Sequence, residues 1–307
     1  MQISTNLLFE RASNQLSTIQ NDLAKSQAQI SAQKQVLNPS DAPDQAAAIA
    51  RLKSVMGRQE SYAKSLDDLS SRLSLQGSTL DNASNAMIKI NELAIQANNS
   101  ANDPASRGLL ATEMRGMRDQ LLSLANSRDL NGKFIFSGSR MNTPPFAPDV
   151  QGQMVYQGDQ TQMLQDVGDQ RSVAMNRPGS QTFVRVVRQA SDGSSVGVGF
   201  FQSLDELIDG VATSNSSAMQ RGLAEVDDLH LGLVQAQSQT GSDMQVIQQQ
   251  NDTIQDTQLT LKSALSNLED LDYASAITQM KKQMLALEAA QSSFVKITQL
   301  SLFSYLR

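Results

Sequence analysis

Apolar residues recur at alternating three- and four-residue spacing at both ends of the chain. Near the start the row is Phe9, Ala12, Leu16, Ile19, Leu23, Ser26, Ile30, Gln33 and Leu37. Near the end it is Tyr273, Ile277, Met280, Met284, Leu287, Gln291 and Phe294. That spacing makes a coiled-coil seam, with one apolar residue every three or four positions along one side of a helix. Each seam is narrow and interrupted by polar residues, so neither end forms a core alone. Pairing the two ends buries both. The residues expected to carry that pairing and assembly are Phe9, Leu16, Ile19, Leu23, Ile30, Ile277, Met280, Met284, Leu287 and Phe294.

The first helix is predicted from about Asn6 to Leu37 and stops at Asn38-Pro39-Ser40-Asp41-Ala42-Pro43, because residues before proline are pushed out of the helical region. The next helix holds two seven-residue rows without a slip. One is Leu52, Gln59, Leu66, Leu73, Leu80, Met87 and Ala94; the other is Val55, Tyr62, Leu69, Gln76, Ala83, Ile90 and Ala97. At 1.5 Å per residue this predicts a helix about 75 Å long. Asp103-Pro104 predicts a cap with proline at the first helical position. A shorter helix follows with Leu110, Met114, Met117, Leu121 and Leu124 on one face, folding back along the long one.

The pattern changes at Asn131-Gly132, a hairpin-type turn, followed by strand-like Phe134-Ile135-Phe136. From Gly138 to about Gly199, short strand candidates such as Met154-Val155-Tyr156 and Thr182–Val187 predict a small β-rich insertion. Helical spacing resumes near Ser203. A second long row then runs from Met219 through Val226, His230, Leu233, Thr240, Ile247 and Ile254 to Leu268. The fold class expected is mainly α: a long antiparallel helical coiled-coil rod formed from N- and C-terminal segments, with a small β-rich insertion domain. Residues 1–40 with 273–307 form a terminal coiled-coil assembly domain. Residues 41–137 with 203–272 form a long-helix rod domain, and 138–202 the insertion.

Composition narrows the function classes. The 307 residues carry a net charge of -6 with no basic patch, which disfavours a nucleic-acid backbone as partner. There is no Cys, so neither disulfides nor thiolate metal sites exist. No apolar run reaches the 18 residues of a membrane span, and the N-terminus lacks the basic and apolar regions of a cleaved Sec signal. Aromatic content of 4% and no Trp suit long thin helices rather than one large core.

Catalytic chemistry is not in view. His230, the only histidine, falls on an apolar helical row and reads as a packing residue. Gly193, Gly197 and Gly199 lack the strand–turn–helix setting of a phosphate loop and read as turn residues. Asp205, Glu206 and Asp209 are expected near a helix start, where the dipole favours acids. Glu269, Asp270 and Asp272 lack the ligand alternation of a calcium loop and read as a solvated hinge. The 13 Met residues are read as seam filling. No cofactor or metal site is expected, and an enzyme is the least supported class. What stands out is surface for assembly. The ends are expected to order on joining neighbours; a self-contained helical hairpin is the alternative.

Several stretches carry a family resemblance. Met1-Gln2-Ile3-Ser4-Thr5-Asn6, Gln29-Ile30-Ser31, Asp272-Tyr273-Ala274 and Leu300–Arg307 resemble the flagellin family of bacterial flagella. Asn38-Pro39-Ser40-Asp41, Phe134–Gly138, Thr143-Pro144-Pro145-Phe146 and Tyr156-Gln157-Gly158-Asp159 resemble the branch that joins hook to filament. The resemblance implies a structural subunit exported through the flagellar type III apparatus without a cleaved signal, located in the extracellular flagellum. It implies self-association in a ring between the first hook-associated protein and the flagellin filament, and a flagellar export chaperone on the C-terminal helix. Flagellin itself is the alternative within this class. A signalling coiled-coil rod is the alternative of another class; it would need a membrane span or a localising domain.

Overall fold

A computed structural model describes residues 2–99, 101–189 and 195–305, with side chains described for residue 7 and from residue 9 to 296 within those spans. The expectations placed on Met1, Gly193 and the Leu306-Arg307 end lie outside the described residues. The elements in order are α1 (Gln2–Ala32), α2 (Pro43–Ala97), α3 (Pro104–Ala125), β1 (Phe146–Pro148), β2 (Met154–Tyr156), β3 (Leu164–Gly168), β4 (Arg171–Ala174), α4 (Gly179–Thr182), β5 (Val186–Gln189), β6 (Ser195–Val198), α5 (Phe200–Ala212), α6 (Ser216–Glu269) and α7 (Tyr273–Tyr305). The mainly helical class with a small β insertion is as the spacing predicted. The chain divides into two compact units, 1–59 with 255–307, and 60–254.

In the 60–254 unit, α2 and α6 run antiparallel. Gln76 Nε2 donates to Thr240 Oγ1 at 3.0 Å, Ser84 Oγ lies 2.9 Å from His230 Nε2, and Asn91 Nδ2 donates to Asp227 Oδ1 at 2.9 Å. Positions rise on one helix as they fall on the other. The buried residues Leu66, Leu69, Leu73, Leu80, Ala83, Met87, Ile90, Ala94 and Ala97 are those of the two heptad rows. His230 thus sits at the helix seam, bonded to a serine across it.

Asp103 caps α3 by accepting from Ser106 N at 2.7 Å, with Pro104 opening the helix, as the sequence indicated. The acids of α5 do not sit at the helix start. The helix begins at Phe200, so Asp205, Glu206 and Asp209 lie past its first turn and draw nothing from the dipole. They pair instead with arginines: Asp205 with Arg118 (2.8 Å), Asp209 with Arg115 (3.3 Å) and Glu206 with Arg188 (2.6 Å). Arg188, on β5, also holds Glu225 of α6 (2.5 Å), which accepts from Ser203 Oγ as well. Burial acts to raise the Glu225 carboxyl, but hydrogen bonds from Arg188 and Ser203 together hold it below the usual range.

The insertion is three antiparallel hairpins, β1–β2, β3–β4 and β5–β6. The expected strand at Phe134-Ile135-Phe136 does not form beyond one bridge between Arg128 and Phe134. Its backbone bonds to turns instead: Phe134 N to Met141 O and Ile135 N to Ser127 O. All three side chains are buried. Thr182 likewise ends a helical turn, and the strand begins only at Val186. Phe183 is the hub of an aromatic cluster, with ring centroids 5.4 Å from Phe136, 5.4 Å from Phe146 and 5.2 Å from Phe200, all nearly edge-on.

The Phe134–Gly138 and Tyr156–Asp159 stretches meet in one latch. Gly138 takes φ +68°, which disfavours any side chain, and a Cβ there would collide with Asp159. The Asp159 carboxylate accepts from Ser139 N (2.8 Å), Thr161 N (3.0 Å) and Ser139 Oγ. Tyr156 Oη lies 2.9 Å from Phe136 O and 2.8 Å from Asp159 O. The Ser139 hydroxyl first, then the two backbone N–H groups, hold the Asp159 carboxyl down at about 2. A carboxyl depressed in the folded state stabilises fully above its unfolded value near 3.8 and loses that contribution as pH falls through about 2. Thermal unfolding from pH 5 to pH 2 should therefore show an acid-sensitive component that Asp159→Asn lacks.

Candidate assembly interface

The unit made by the chain ends contains α1, the start of α2, the end of α6, and α7. The sequence predicts that α1 continues to Leu37; it ends at Ala32. Gln33 takes φ +59°, and the backbone then pairs across the chain: Lys34 bridges Asp270, Gln35 N donates to Glu269 O (2.9 Å) and Leu271 N to Gln33 O (3.2 Å). Those bonds replace the intrahelical ones a longer helix would have made.

Glu269 is the centre of this crossing. Its carboxylate accepts from Lys34 Nζ at 2.6 Å and Lys53 Nζ at 3.0 Å, and the residue is buried. The hydrogen bond from Lys34 is the main cause holding its carboxyl below the usual range. The solvated hinge expected here is therefore a closed ion-paired node, because two lysines from other elements converge on one carboxylate. Asp272 caps α7, accepting from Ala274 N (3.0 Å) and Ser275 Oγ (2.7 Å). Tyr273 Oη donates to Ile30 O (3.3 Å). Asp41 closes the Asn38–Asp41 turn by accepting from Asn38 N (3.1 Å), and reaches Lys25 on α1 (2.8 Å).

Beyond the crossing, α1 and α7 pack along their lengths. On α1 the half-buried positions include Leu16, Ile19, Leu23 and Ile30, with Ser26 buried between them. On α7 they are Ala276, Met280, Gln283, Leu287, Ala290 and Phe294. Phe9 and Phe294 meet with ring centroids 5.1 Å apart and planes tilted by 43°, although Phe9 is 47% exposed. The α7 side facing α1 thus shares Met280, Leu287 and Phe294 with the sequence row, but fills the intervening turns with Ala276, Gln283 and Ala290. Those small and polar residues carry no apolar signal, so reading hydrophobicity alone passes over them. Ile277 and Met284 lie one position round the helix and stay 38% and 44% exposed. Tyr273 is exposed too.

Among the described side chains of α1 and α7, only Ser26 is buried. A helix pair half-buried along one stripe, with a second apolar stripe open beside it, has surface for further helices. Among the described residues no group of metal-ligating side chains occurs, and no helix is long and apolar enough to cross a membrane.

The comparisons agree with this layout of helical ends around an insertion. Relatives include flagellar hook-associated protein 3 of Salmonella typhimurium (strain LT2), 29% identical over 316 residues, covering 99% of each chain. The protein of that name from Escherichia coli (strain K12) is 27% identical with the same coverage. Among solved structures, a putative flagellar hook-associated protein from Vibrio parahaemolyticus shares the fold, with TM-score 0.66 and 18% identity, covering 75% of this chain and 100% of that one. Two family models match: the bacterial flagellin N-terminal helical region over residues 3–141 and the bacterial flagellin C-terminal helical region over 223–306. The chain belongs to the flagellin family.

Proposed function

We propose that the chain is a structural subunit of the bacterial flagellum that joins a hook-associated protein to the flagellin filament, assembling through its terminal helices. The observation that carries this reading is the α1–α7 pair, which leaves Ile277 and Met284 open beside a half-buried seam. Two curated relatives named flagellar hook-associated protein 3, matching from end to end, support the junction over the filament. In this reading residues 1–40 and 273–307 are the assembly domain, 41–137 with 203–272 the helical scaffold, and 138–202 the outer insertion. Subunits associate in a ring, meeting the first hook-associated protein on one side and flagellin on the other. Before export without a cleaved signal, a chaperone covers the open apolar stripe of α7. The role is structural rather than enzymatic.

Immunogold labelling of intact flagella with an antibody to the insertion tests this. The expected result is one narrow band where hook meets filament. Label along the whole filament makes the chain a flagellin, and no label on flagella removes the flagellar reading.

A further inference from the structure

We propose that Asn131 is a site of covalent self-modification, a deamidation that the folded turn blocks and an unfolded chain undergoes.

Asn131-Gly132 is the only Asn-Gly pair in the sequence. In such a pair the backbone nitrogen of the glycine attacks Cγ of the asparagine side chain, and no Cβ on the glycine stands in the way. A new C–N bond forms and the C–N bond to the side-chain amide breaks. The proton from the glycine nitrogen leaves with that amide as ammonia. The product is a five-membered succinimide. Water then opens one of its two carbonyls, giving aspartate or isoaspartate, in which the main chain runs through the side-chain methylene. Water is the only co-reactant, and Asn131 is exposed to it. The Asn131 side-chain amide makes no hydrogen bond among the described residues, so the electrophile is free.

The fold takes the nucleophile away. Gly132 N donates to Asp129 O at 2.9 Å, and Asp129 N donates to Lys133 O at 2.8 Å. Asp129 Oδ1 accepts from Asn131 N and Lys133 N, both at 2.9 Å. Arg72 holds the other carboxylate oxygen of Asp129 at 2.5 Å, and Arg128 Nη1 donates to Gly132 O at 3.3 Å. An N–H given to a carbonyl keeps its proton and does not swing onto the neighbouring Cγ. Reaction therefore waits for local opening, as amide hydrogen exchange does.

The chain builds the same turn a second time. At Asp149-Val150-Gln151-Gly152, Asp149 Oδ1 accepts from Gln151 N and Gln153 N, both at 2.9 Å. Gly152 N donates to Asp149 O at 3.1 Å, Asp149 N donates to Gln153 O at 2.9 Å, and Gly152 takes φ +83° against +74° at Gly132. Gln151 stands where Asn131 stands. Its side chain is one methylene longer, so the same attack closes a six-membered ring and is far slower. Among the described residues no ion pair fastens Asp149 as Arg72 fastens Asp129. The two turns thus separate the chemistry of the side chain from the geometry of the backbone.

Isoaspartate lengthens the main chain by one carbon between Asn131 N and Lys133 N, the two groups that bind one oxygen of Asp129. The turn then does not close on that carboxylate, and buried Arg72 loses the setting of its ion pair. A chain modified while open does not regain the turn, so the modification records unfolding.

The full-length protein is incubated at neutral pH in native buffer and in guanidinium chloride, and deamidation is followed at each asparagine by peptide mass spectrometry. In denaturant Asn131 should react faster than every other asparagine, and at least tenfold faster than in the folded chain. Gln151→Asn should react in denaturant at the same rate as Asn131, be slowed by folding, and be slowed less because no arginine holds its turn. Equal rates at Asn131 in the folded and denatured chain overturn the block by the turn. A rate at Asn131 no greater than at Asn142 in denaturant removes the site altogether. Chains carrying isoaspartate are then refolded, and hydrogen exchange at Lys133 N should be at least tenfold faster than in unmodified chains. Unchanged exchange there overturns the record of unfolding.

Discussion

Leu287→Asp is expected to remove the protein from flagella and abolish swimming, while leaving the 60–254 unit folded. Leu287 lies in the α1–α7 seam, one heptad from Met280 and from Phe294, facing the Leu16–Ile30 row. A carboxylate there has no partner, and an unpaired charge in an apolar contact costs several kcal/mol. A seam that is only half-buried has little stability in reserve, so the helix pair separates before the charge is accommodated. Leu16→Asp should do the same from the other side. Sheared flagella probed by immunoblot, with circular dichroism on the purified protein, give the answer. Normal incorporation of both variants would falsify the seam as the assembly element. Ile277→Asp is the informative contrast. Its exposed side chain leaves the α1–α7 pair closed, so a loss of incorporation with an intact pair would place the damage between subunits.

Phe183→Ala should be the most destabilising single truncation in the 60–254 unit. Its ring touches Phe136, Phe146, Phe200 and Phe201, and is almost fully buried. Truncating such a phenylalanine costs about 3–5 kcal/mol, the lost transfer energy plus the cavity left behind. For a unit of this size that corresponds to a drop of roughly 10 °C in its melting temperature. Val187→Ala, on the neighbouring strand but exposed, should change the midpoint by less than about 2 °C. Calorimetry of both variants checks the difference. Equal shifts would mean that the aromatic cluster does not hold the insertion to its helices.

The long helices were legible because their signal is periodic and their breakers are proline and capping residues. Every heptad-row position of α2 from Leu66 to Ala97 is buried, with Arg72, Thr79, Ala86 and Leu93 buried beside them, and Asp103-Pro104 begins α3. Where the sequence misled, tertiary partners decided the outcome. The end of α1 is set by backbone bonds to residues 269–271, which no local pattern announces. Glu269 looks like a solvated acid until Lys34 and Lys53 arrive from elsewhere. Phe134-Ile135-Phe136 has strand composition but finds no continuous partner strand. In the candidate interface, the apolar row named Ile277 and Met284, while the contact with α1 uses Ala276, Gln283 and Ala290 at the same turns. Sequence hydrophobicity locates the helix and its general face; the stripe that meets α1 also holds Ala276, Gln283 and Ala290, which carry no apolar signal.

The hydrogen bond from Tyr273 to Ile30 spans 243 positions in the chain. The contacts that hold α1 against α7 all join residues separated on this scale, whereas those of the 60–254 unit close within it. Loop closure over such a distance is slow and is rewarded only once its ends are near each other. During synthesis α1 appears long before its partner α7. The 60–254 unit can form while α1 still waits, because its partner α7 follows that unit in the chain. A chain truncated before Tyr273 should keep its insertion and the middle of its long helices, yet lose α1 along with α7. Because α1 and α7 are each other's main partner, either one held apart leaves the other unpaired.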